Sequence, residues 1–389
     1  MPTPTVPSPR GSLPLRVAVT VEDLVQRVLL AVLSRAGRRQ VAVLPYVGHG
    51  SPGRVHIRGR VVLGRSAGRP PATGRNPNGR RVTVPAGRGK VARRRAWRTL
   101  GRSLARFLTV ELPGATVTVH VPSGPFEARC DREGYVDAVV EGHGLRAGWH
   151  DVRLTATWHG RTGDAVARVL VVAAGAGPAV ISDVDDTVIE TGLTRGLAFL
   201  RLTLLTEVTD REPLPGAAEL YRALTEGPAR GPVFYLSTSP WNLHDLLLEF
   251  LALRSFPAGP LLLTDWGPGR GALFRIPAEE HKLTLIRQVL DDHPGLRLLL
   301  VGDTGQIDPE IYARVAAEAP DRIAAIYVRR TAGAPAERAA EVDRLAAAVS
   351  AEGVPMLVVD DSARIAEHAH GIGLLDRLAI ETVRAASAR

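Results

Sequence analysis

A run of carboxylates follows the first apolar strand predicted in the second half of the chain. Asp183, Asp185 and Asp186 lie within four positions, directly after the apolar segment 179–182. Carboxylates this close repel one another unless they share a cation. One can attack phosphorus while its neighbour transfers a proton, and aspartate suits the first role because water readily cleaves the acyl phosphate that it forms. An Asp-rich capping turn or a degenerate calcium loop is the alternative, although Val188 stands where a calcium loop has Gly.

A hydroxyl follows the second predicted strand, residues 232–236. Ser237 comes directly after this strand, with Thr238 beside it, and Ser239 and Pro240 predict the cap and first turn of a helix. Helix N-termini attract anions, so the Ser237 hydroxyl and nearby backbone N–H groups can hold a phosphoryl oxygen there. A simple helix cap is the alternative interpretation.

Lysine usage singles out one position. The chain contains 49 Lys and Arg together, but its only lysines are Lys90 and Lys282. Lys282 lies near the start of a predicted helix at 278–290, where the helix dipole disfavours a cation. A compact ammonium there suggests a task that a guanidinium fits badly, such as screening repulsion between carboxylates and a phosphoryl group. Chance retention of the lysine is the alternative.

Two more carboxylates follow a later predicted strand, residues 298–302. Asp303 ends that strand and Asp308 comes five positions further on. Magnesium prefers hard oxygen ligands in octahedral geometry and retains several waters. Asp183, the backbone carbonyl of Asp185, Asp303 and a substrate phosphate would make such a ligand set. The sequence therefore predicts Mg²⁺ as cofactor.

These residues need a scaffold that brings strand ends together. Short apolar strands alternate with helical stretches over residues 176–389, which predicts an α/β fold with a parallel sheet and helices on both faces. Active residues in such sheets lie just beyond the carboxyl ends of the strands. The predicted strands are 179–182, 233–236, 261–263, 298–301, 323–328 and 356–359. The predicted helices include 216–224, 242–253, 278–290 and 336–348.

The first half of the chain has a different pattern. Several segments alternate apolar with polar residues at short spacing, which predicts an antiparallel β-sandwich. A helical spacing at 21–35 predicts an amphipathic helix, which either packs on a neighbouring domain or lies on a membrane surface. The predicted domains are a Pro-rich start with that helix at 1–37, a sandwich at 38–175 with a basic Arg/Gly/Pro-rich insertion at 64–103, and a catalytic domain at 176–389.

Charge is distributed unevenly. The chain carries a formal net charge of +9, made of +18 in residues 1–177 and −9 in the remainder. Between Asp23 and Glu111 there are 20 basic residues and no acidic one. This asymmetry fits an anionic partner, and a solvated basic surface in an Arg-biased chain is the alternative.

Composition excludes several classes of protein. The single cysteine, Cys130, excludes an internal disulfide framework and a cysteine-only zinc site. No run of 18 apolar residues predicts a membrane-spanning helix, and residues 1–10 lack the layout of a secretory signal. A cytoplasmic protein is the default expectation, with attachment to a membrane surface left open.

The acidic, hydroxyl and lysine positions together resemble the haloacid dehalogenase (HAD) superfamily of phosphotransferases. Its four motifs correspond to Asp183/Asp185/Thr187, Ser237, Lys282 and Asp303/Asp308. The residue types within the motifs are similar to those of the actin-patch phosphatidate phosphatase family, and the similarity extends over residues 176–380. Thr304 stands where that family prefers Ser. The stretches that carry this similarity are Asp183-Val-Asp-Asp-Thr187, Ser237-Thr-Ser-Pro-Trp241, His281-Lys282 and Gly302-Asp-Thr-Gly-Gln-Ile-Asp-Pro-Glu-Ile-Tyr312.

The resemblance implies a HAD-like fold and magnesium-dependent hydrolysis of phosphatidate to diacylglycerol and phosphate. Asp183 would attack phosphorus and become an aspartyl phosphate, while Asp185 would protonate the leaving alkoxide and then activate water. The other implied roles are loop fixation by Thr187, phosphoryl binding by Ser237 and Lys282, metal ligation by Asp183, Asp185 and Asp303, orientation of Lys282 or of a metal-bound water by Asp308, and support by Asp186 and Thr238.

Motif spacing also bears on the substrate. The intervals from Asp183 to Ser237 and from Ser237 to Lys282 are 54 and 45 residues, which leaves little room for a large lid. An uncovered site suits a large or interfacial substrate such as an anionic phospholipid at a membrane. Trp241, Trp266 and His281 are candidates for the rim of the site, with core packing as the alternative for Trp241.

Two other functions compete with this one. The same chemistry could serve a nucleic-acid end or a soluble phosphomonoester, although Trp97 and Phe107 make a thin stacking platform for nucleic acid. A non-catalytic module that binds anionic lipid or protein is the other alternative. Against it, a module without catalysis has no need of the mutually repelling carboxylates. The sequence makes no prediction of oligomeric state.

Overall fold

The computed structural model describes residues 40–64, 110–184, 214–264, 278–331 and 334–388. Their strands form a nine-stranded mixed sheet and a six-stranded parallel sheet. The strands of the first sheet are β1 (Gln40–Pro45), β2 (Gly48–Ser51), β3 (Arg54–Gly64), β4 (Val110–Glu111), β5 (Thr116–Val121), β6 (Gly124–Arg129), β7 (Tyr135–Glu141), β8 (Gly148–Trp158) and β9 (Arg161–Val171).

Backbone pairing joins the first nine strands into one sheet. The order is β1-β3-β2-β9-β8-β5-β6, with β4 and β7 both pairing with β3. All of these pairs are antiparallel except β2 with β9, which are parallel. Alternate residues of β5 and β7 are buried, as the period-two sequence pattern predicted. Folding of this sheet as a sandwich, and the domain bounds, stay predictions.

Three of these strands were not predicted from the sequence. Strand β2 is half glycine, and β4 has only two residues, so neither carries a readable hydrophobic pattern. Strand β6 contains Pro125 and is largely exposed at the end of the sheet, where β5 is its one partner among the described strands. An edge strand tolerates a proline because one of its sides makes no ladder hydrogen bonds.

The second sheet and its helices occupy the rest of the described chain. Its strands are β10 (Ala179–Asp183), β11 (Val233–Pro240), β12 (Leu261–Thr264), β13 (Leu298–Asp303), β14 (Ile323–Arg329) and β15 (Met356–Val359). The helices are α1 (Ala217–Glu226), α2 (His244–Leu253), α3 (Ala278–Asp292), α4 (Asp308–Glu318), α5 (Ala336–Ala351), α6 (Ser362–Gly371) and α7 (Arg377–Ser387), with 3₁₀ turns at Trp241–Leu243 and Pro320–Arg322.

The second sheet is entirely parallel and doubly wound. Its order is β12-β11-β10-β13-β14-β15. Strands β11 and β12 add on one side of β10 and strands β13 to β15 on the other, so the order of strands reverses between β10 and β13, the reversal point of the sheet. Neighbouring residues of β10 belong to different cores. Val180 shares a buried cluster with residues of α1 and α2, whereas Ile181 shares another with residues of α3. Helices therefore cover both faces, and the crevice at the reversal point is the usual position of a ligand site in such sheets.

The two sheets contact each other through side chains. The ring of Tyr46, which follows β1, stacks on Trp241 with ring centroids 4.5 Å apart. The neighbouring Val47 backbone N–H donates to His244 Nε2 over 3.2 Å, and Arg60 Nη1 of β3 donates to Asn242 Oδ1 over 2.9 Å. These contacts tie the nine-stranded sheet to the residues that follow β11.

A second contact between the sheets is a cluster of buried histidines. His49 of β2 lies with its ring centroid 5.5 Å from that of His56 and 5.7 Å from that of His293. His56 Nε2 lies 2.9 Å from Asp292 Oδ1, at the end of α3. Burial, helped by the charges of His293 and His56, holds the pKa of His49 well below its usual value.

No helix in the described parts of the chain has both the length and the apolar composition needed to cross a bilayer.

Candidate active site

Three carboxylates meet at the reversal point of the parallel sheet. Asp183 is the last residue of β10, Asp303 is the last residue of β13, and Asp308 is the first residue of α4. All three are buried, and each places one carboxylate oxygen within 4.8 Å of the other two. Because β10 and β13 are neighbouring parallel strands, their carboxyl ends meet at one edge, as the sequence predicted.

Lys282 of α3 neutralises part of this charge. Its Nζ lies 2.8 Å from Asp183 Oδ1 and 2.6 Å from Asp308 Oδ1, and the residue is only 2% exposed. Burial by itself lowers the pKa of the ammonium, but the charges of Asp183 and Asp308 outweigh burial and hold the pKa above its usual value. Lys282 is therefore a fixed positive charge beside both carboxylates.

The same residues fit a divalent cation. The three carboxylates and the one ammonium leave a formal net charge of −2 in a buried place. Asp308 Oδ2 is buried and accepts no hydrogen bond from any residue that the structure describes. Uncompensated buried charge is costly, and carboxylate oxygens are the ligands that magnesium prefers. The donor set therefore suits Mg²⁺.

The loop after β13 orients Asp303. Its Oδ1 accepts hydrogen bonds from Gly305 N over 2.6 Å and from Gln306 N over 3.0 Å, and the Thr331 hydroxyl donates to it over 3.3 Å. Thr304 is buried, and its hydroxyl accepts a bond from Thr331 N over 2.9 Å. An aspartate that caps its own turn in this way has one oxygen committed and the other directed into the site.

Gln306 is a site residue that the sequence did not predict. Its Nε2 donates to Asp183 Oδ2 over 3.1 Å and to Asp303 Oδ2 over 3.3 Å. The residue lies inside the motif at 302–312, but an amide three positions after a carboxylate does not by itself indicate a site residue. Only the turn at Asp303 brings its side chain back to the strand ends.

Arg338 of α5 was also missed. It donates from Nη2 to the Gln306 carbonyl over 2.8 Å and from Nε to the Thr304 carbonyl over 3.2 Å, and it pairs with Glu310. This guanidinium therefore fixes the backbone of the loop between β13 and α4. One arginine among many, 35 positions after Asp303, has no sequence feature that marks it.

Ser237 is placed differently from the expectation. The predicted cap at Ser239 and helix start at Pro240 are wrong, because β11 continues to Pro240 and a 3₁₀ turn begins at Trp241. The pairing of β11 with β12 shifts register between Leu236 and Pro240, so residues 237–239 form an irregular, bulge-like segment, called the bulge below. Bulges redirect side chains near functional sites. Ser237 is buried, and its hydroxyl accepts a bond from Ser239 N over 3.0 Å.

The bulge nonetheless adjoins the carboxylates. Asp183 is in register with Leu236, and Val184 N donates to the Leu236 carbonyl over 3.0 Å. Ser237 therefore follows the residue that pairs with Asp183, and the half-buried Thr238 comes next. A hydroxyl at this position lies at the same sheet edge as the carboxylates.

Two rim candidates fall within the described residues. Trp241 is 6% exposed and stacks on Tyr46, which gives it a packing role between the sheets. His281 is half-buried. Burial lowers its pKa although a hydrogen bond to the Leu263 backbone opposes the shift. Its position next to Lys282 keeps it near the cluster.

Several predictions lie outside the described residues. They concern Asp185, Asp186, Thr187 and Trp266, the helix at 21–35, and residues 65–103 of the basic insertion.

Comparison with known proteins locates a family in the parallel-sheet part of the chain. Residues 178–330 match the family model "Phosphatidate phosphatase APP1, catalytic domain". Phosphatidate phosphatase APP1 of Saccharomyces cerevisiae is 30% identical over 153 residues, which are 39% of this chain and 26% of that protein. An uncharacterized protein of Schizosaccharomyces pombe is 32% identical over 156 residues, covering 39% of this chain and 25% of that protein. The match thus spans about a quarter of the length of these relatives.

Among solved structures, a carbohydrate acetylesterase from Xanthomonas citri aligns at 12% identity with a TM-score of 0.27, covering 72% of this chain and 68% of that one. The segment matched by sequence, in contrast, contains all four predicted motifs. Residues 178–330 are therefore similar to the phosphatidate phosphatase APP1 catalytic domain, which confirms the resemblance seen in the motifs.

Proposed function

We propose that this protein is a magnesium-dependent phosphatidate phosphatase that releases diacylglycerol and phosphate through an aspartyl phosphate. The observation that carries the proposal is the buried cluster of Asp183, Asp303 and Asp308 with Lys282 at the reversal point of the parallel sheet. The family of residues 178–330 supports phosphoric monoester hydrolysis, with a HAD-like fold, and a lipid substrate. We also propose that the catalytic domain begins at residue 176, directly after the sandwich domain at 38–175.

The first step uses Asp183. One of its carboxylate oxygens would form a bond to phosphorus as the bond from phosphorus to the glycerol oxygen breaks. The Lys282 ammonium, 2.8 Å from Asp183 Oδ1, screens the charge of this carboxylate from the approaching phosphoryl group. Asp185 would give its proton to the leaving glycerol oxygen, and the Ser237 hydroxyl would bind a phosphoryl oxygen.

In the second step Asp185 changes from acid to base. Asp185 would take a proton from water, whose oxygen then bonds to phosphorus while the bond between phosphorus and Asp183 breaks. Inorganic phosphate leaves, and both carboxyl groups return to their starting states. Asp183 and Asp303, with the carbonyl of Asp185, would hold Mg²⁺, which supplies neutralisation of phosphoryl charge when bound.

The proposed place of action is a cytoplasmic membrane surface. The basic bias of residues 24–110 supports attraction to an anionic bilayer, because each Lys or Arg near such a surface contributes about 1 kcal/mol. Strands β1 to β3 lie within this region, so any truncation that tests membrane attachment must retain residues from 40 onward.

The test is phosphate release by the full chain and by Asp183→Asn. We expect Mg²⁺-dependent release from phosphatidate vesicles, and a loss of at least about 1,000-fold in Asp183→Asn because the amide cannot form the acyl phosphate. Asp164→Asn is the control, since Asp164 lies on the exposed side of β9. Full activity of Asp183→Asn would overturn the mechanism. A preference for phosphorylated oligonucleotide or p-nitrophenyl phosphate would overturn the substrate, and inactivity on all three would favour a binding module.

A further inference from the structure

The Gln306 side chain occupies the space between two carboxylates. A single amide nitrogen, Nε2, donates to Asp183 Oδ2 over 3.1 Å and to Asp303 Oδ2 over 3.3 Å. Both carboxylates are buried, on the neighbouring strands β10 and β13. A neutral amide therefore stands where two negative groups face each other.

The two oxygens that face Gln306 are those best placed to bind a cation. Asp183 Oδ1 already has the Lys282 ammonium at 2.8 Å, and Asp303 Oδ1 accepts from Gly305 N over 2.6 Å. The Oδ2 atoms of both residues point to the shared space instead. A cation bound by both carboxylates through these oxygens would lie where Nε2 of Gln306 lies now.

The amide can serve as a weak substitute for that cation. Its N–H groups carry partial positive charge, and hydrogen bonds to charged groups are stronger than those between neutral groups. Only the nitrogen end can face the site, because the amide oxygen would repel both carboxylates. A cation in the same place would repel the partially positive N–H groups, so the nitrogen end cannot remain beside it.

The main chain of Gln306 is held by two hydrogen bonds. Its carbonyl accepts a bond from Arg338 Nη2 over 2.8 Å, and its N–H donates to Asp303 Oδ1 over 3.0 Å. These bonds fix the main chain of Gln306 relative to α5 and β13. Departure of the amide therefore means rotation about side-chain bonds, with the loop retained.

We propose that Gln306 is a competitor of the divalent cation: its amide holds Asp183 and Asp303 together in the cation-free protein and rotates out when the cation binds. This inference rests on the proposed function for the presence of a cation at this site. Its consequence is that Gln306 weakens cation binding, since the hydrogen bonds must be given up first. A residue that served as a ligand would have the opposite effect.

The experiment is calorimetric titration of the full chain with MgCl₂, without substrate, comparing the unmutated protein, Gln306→Ala and Gln306→Met. Methionine keeps the length of the side chain and removes its N–H groups. We expect both variants to bind Mg²⁺ about tenfold more tightly, the scale set by loss of one hydrogen bond to a charged group. We also expect a lower melting temperature without cation and a larger rise on adding MgCl₂ than in the unmutated protein. Gln40→Ala, at the exposed start of β1, is the matched control and should bind as the unmutated protein does.

The outcomes separate two failures. Unchanged or weaker Mg²⁺ binding by Gln306→Ala and Gln306→Met, with normal binding by the unmutated protein, would overturn the role of Gln306 alone. An unmutated protein that binds no Mg²⁺ would overturn both this role and the metal part of the proposed function. Tighter binding by both variants supports the role.

Discussion

Lys282 is an ammonium in the protein interior with two carboxylates against it. Transfer of such charges from water is expensive, and the mutual attraction of the three groups offsets that cost only while all are present. Asp183 and Asp308 depend on the same ammonium, so the site is also a point at which folding is sensitive to substitution.

We expect Lys282→Met to lower the free energy of unfolding by about 3–5 kcal/mol in cation-free buffer, because it leaves the buried carboxylates without their counter-charge. In an Asp308→Asn background the loss should be smaller, since one of the paired charges is already removed. Urea denaturation of the four proteins of this cycle measures both effects.

Arg153→Met is the control for that cycle. Arg153 pairs with Asp164 on the surface, where both side chains are more than half exposed. Its loss should change the free energy of unfolding by less than about 1 kcal/mol. Equal losses in Lys282→Met and Arg153→Met would contradict the interpretation of Lys282.

Site residues differed in how far the sequence could predict them. Lys282 stood out because lysine is rare in this chain, and Asp183 and Asp303 because each ends an apolar strand. Gln306 and Arg338 had no such mark. Their contacts depend on a turn and on the packing of α5 over it, and both arise only when distant segments meet.

At the scale of elements, β13, the following loop and α4 behave as one unit. Tyr312, one turn into α4, donates its hydroxyl hydrogen to the Val301 carbonyl over 3.1 Å. The absence of a side chain at Gly302 allows this close approach. A Cβ there would lie 2.7 Å from Asp308 Oδ2, 2.8 Å from Asp308 Cβ and 2.9 Å from Tyr312 Cε2.

Gly302→Ala should therefore destabilise the protein by about 1–3 kcal/mol, the usual range for an overpacked interior. The displaced Asp308 should also reduce the protection that MgCl₂ gives against heating. Gly53→Ala is the matched control, because a Cβ at Gly53 would meet no atom within 4 Å. Thermal and urea unfolding measure both variants, and equal stabilities would refute the packing argument.

Elements of the parallel sheet were more predictable than the bulge in β11. All six of its strands were predicted from short apolar runs, because strands buried on both faces carry such runs. The Ser-Pro pair at 239–240 suggested a helix cap, but pairing with β12 extends the strand through it. The tendency of this Ser-Pro pair to start a helix was overridden by pairing with β12, a strand that lies more than 20 residues further along the chain.

At the scale of the whole molecule, the histidine cluster makes the contact between the sheets sensitive to pH. Burial lowers the pKa of His293 to about 4, although the charge of Asp292 opposes the shift. In the unfolded chain the imidazole titrates near 6.5. The unfolded chain therefore binds more protons between these two values, and acid weakens the folded state.

We expect the free energy of unfolding to fall as the pH is lowered from 6.5 to about 4, with His293 contributing up to about 3 kcal/mol. His293→Phe should flatten this dependence and retain stability at neutral pH, because neither ring nitrogen of His293 bonds to a described residue and the ring lies beside Phe234. Urea denaturation at several pH values measures the slope. His120→Gln, at an exposed position of β5, should keep the unmutated slope, and an unchanged slope in His293→Phe would exclude the cluster as its source.

The contact between the sheets also bears on how a recombinant fragment of this protein should be cut. A fragment limited to residues 178–330 would lack β15, leaving β14 as an unprotected edge that can recruit other chains. It would also lose Val172, Tyr46 and Val47, which complete the two cores around the parallel sheet. Such a fragment would carry the four motifs and still aggregate, so expression work should begin with the chain from residue 40 to its end.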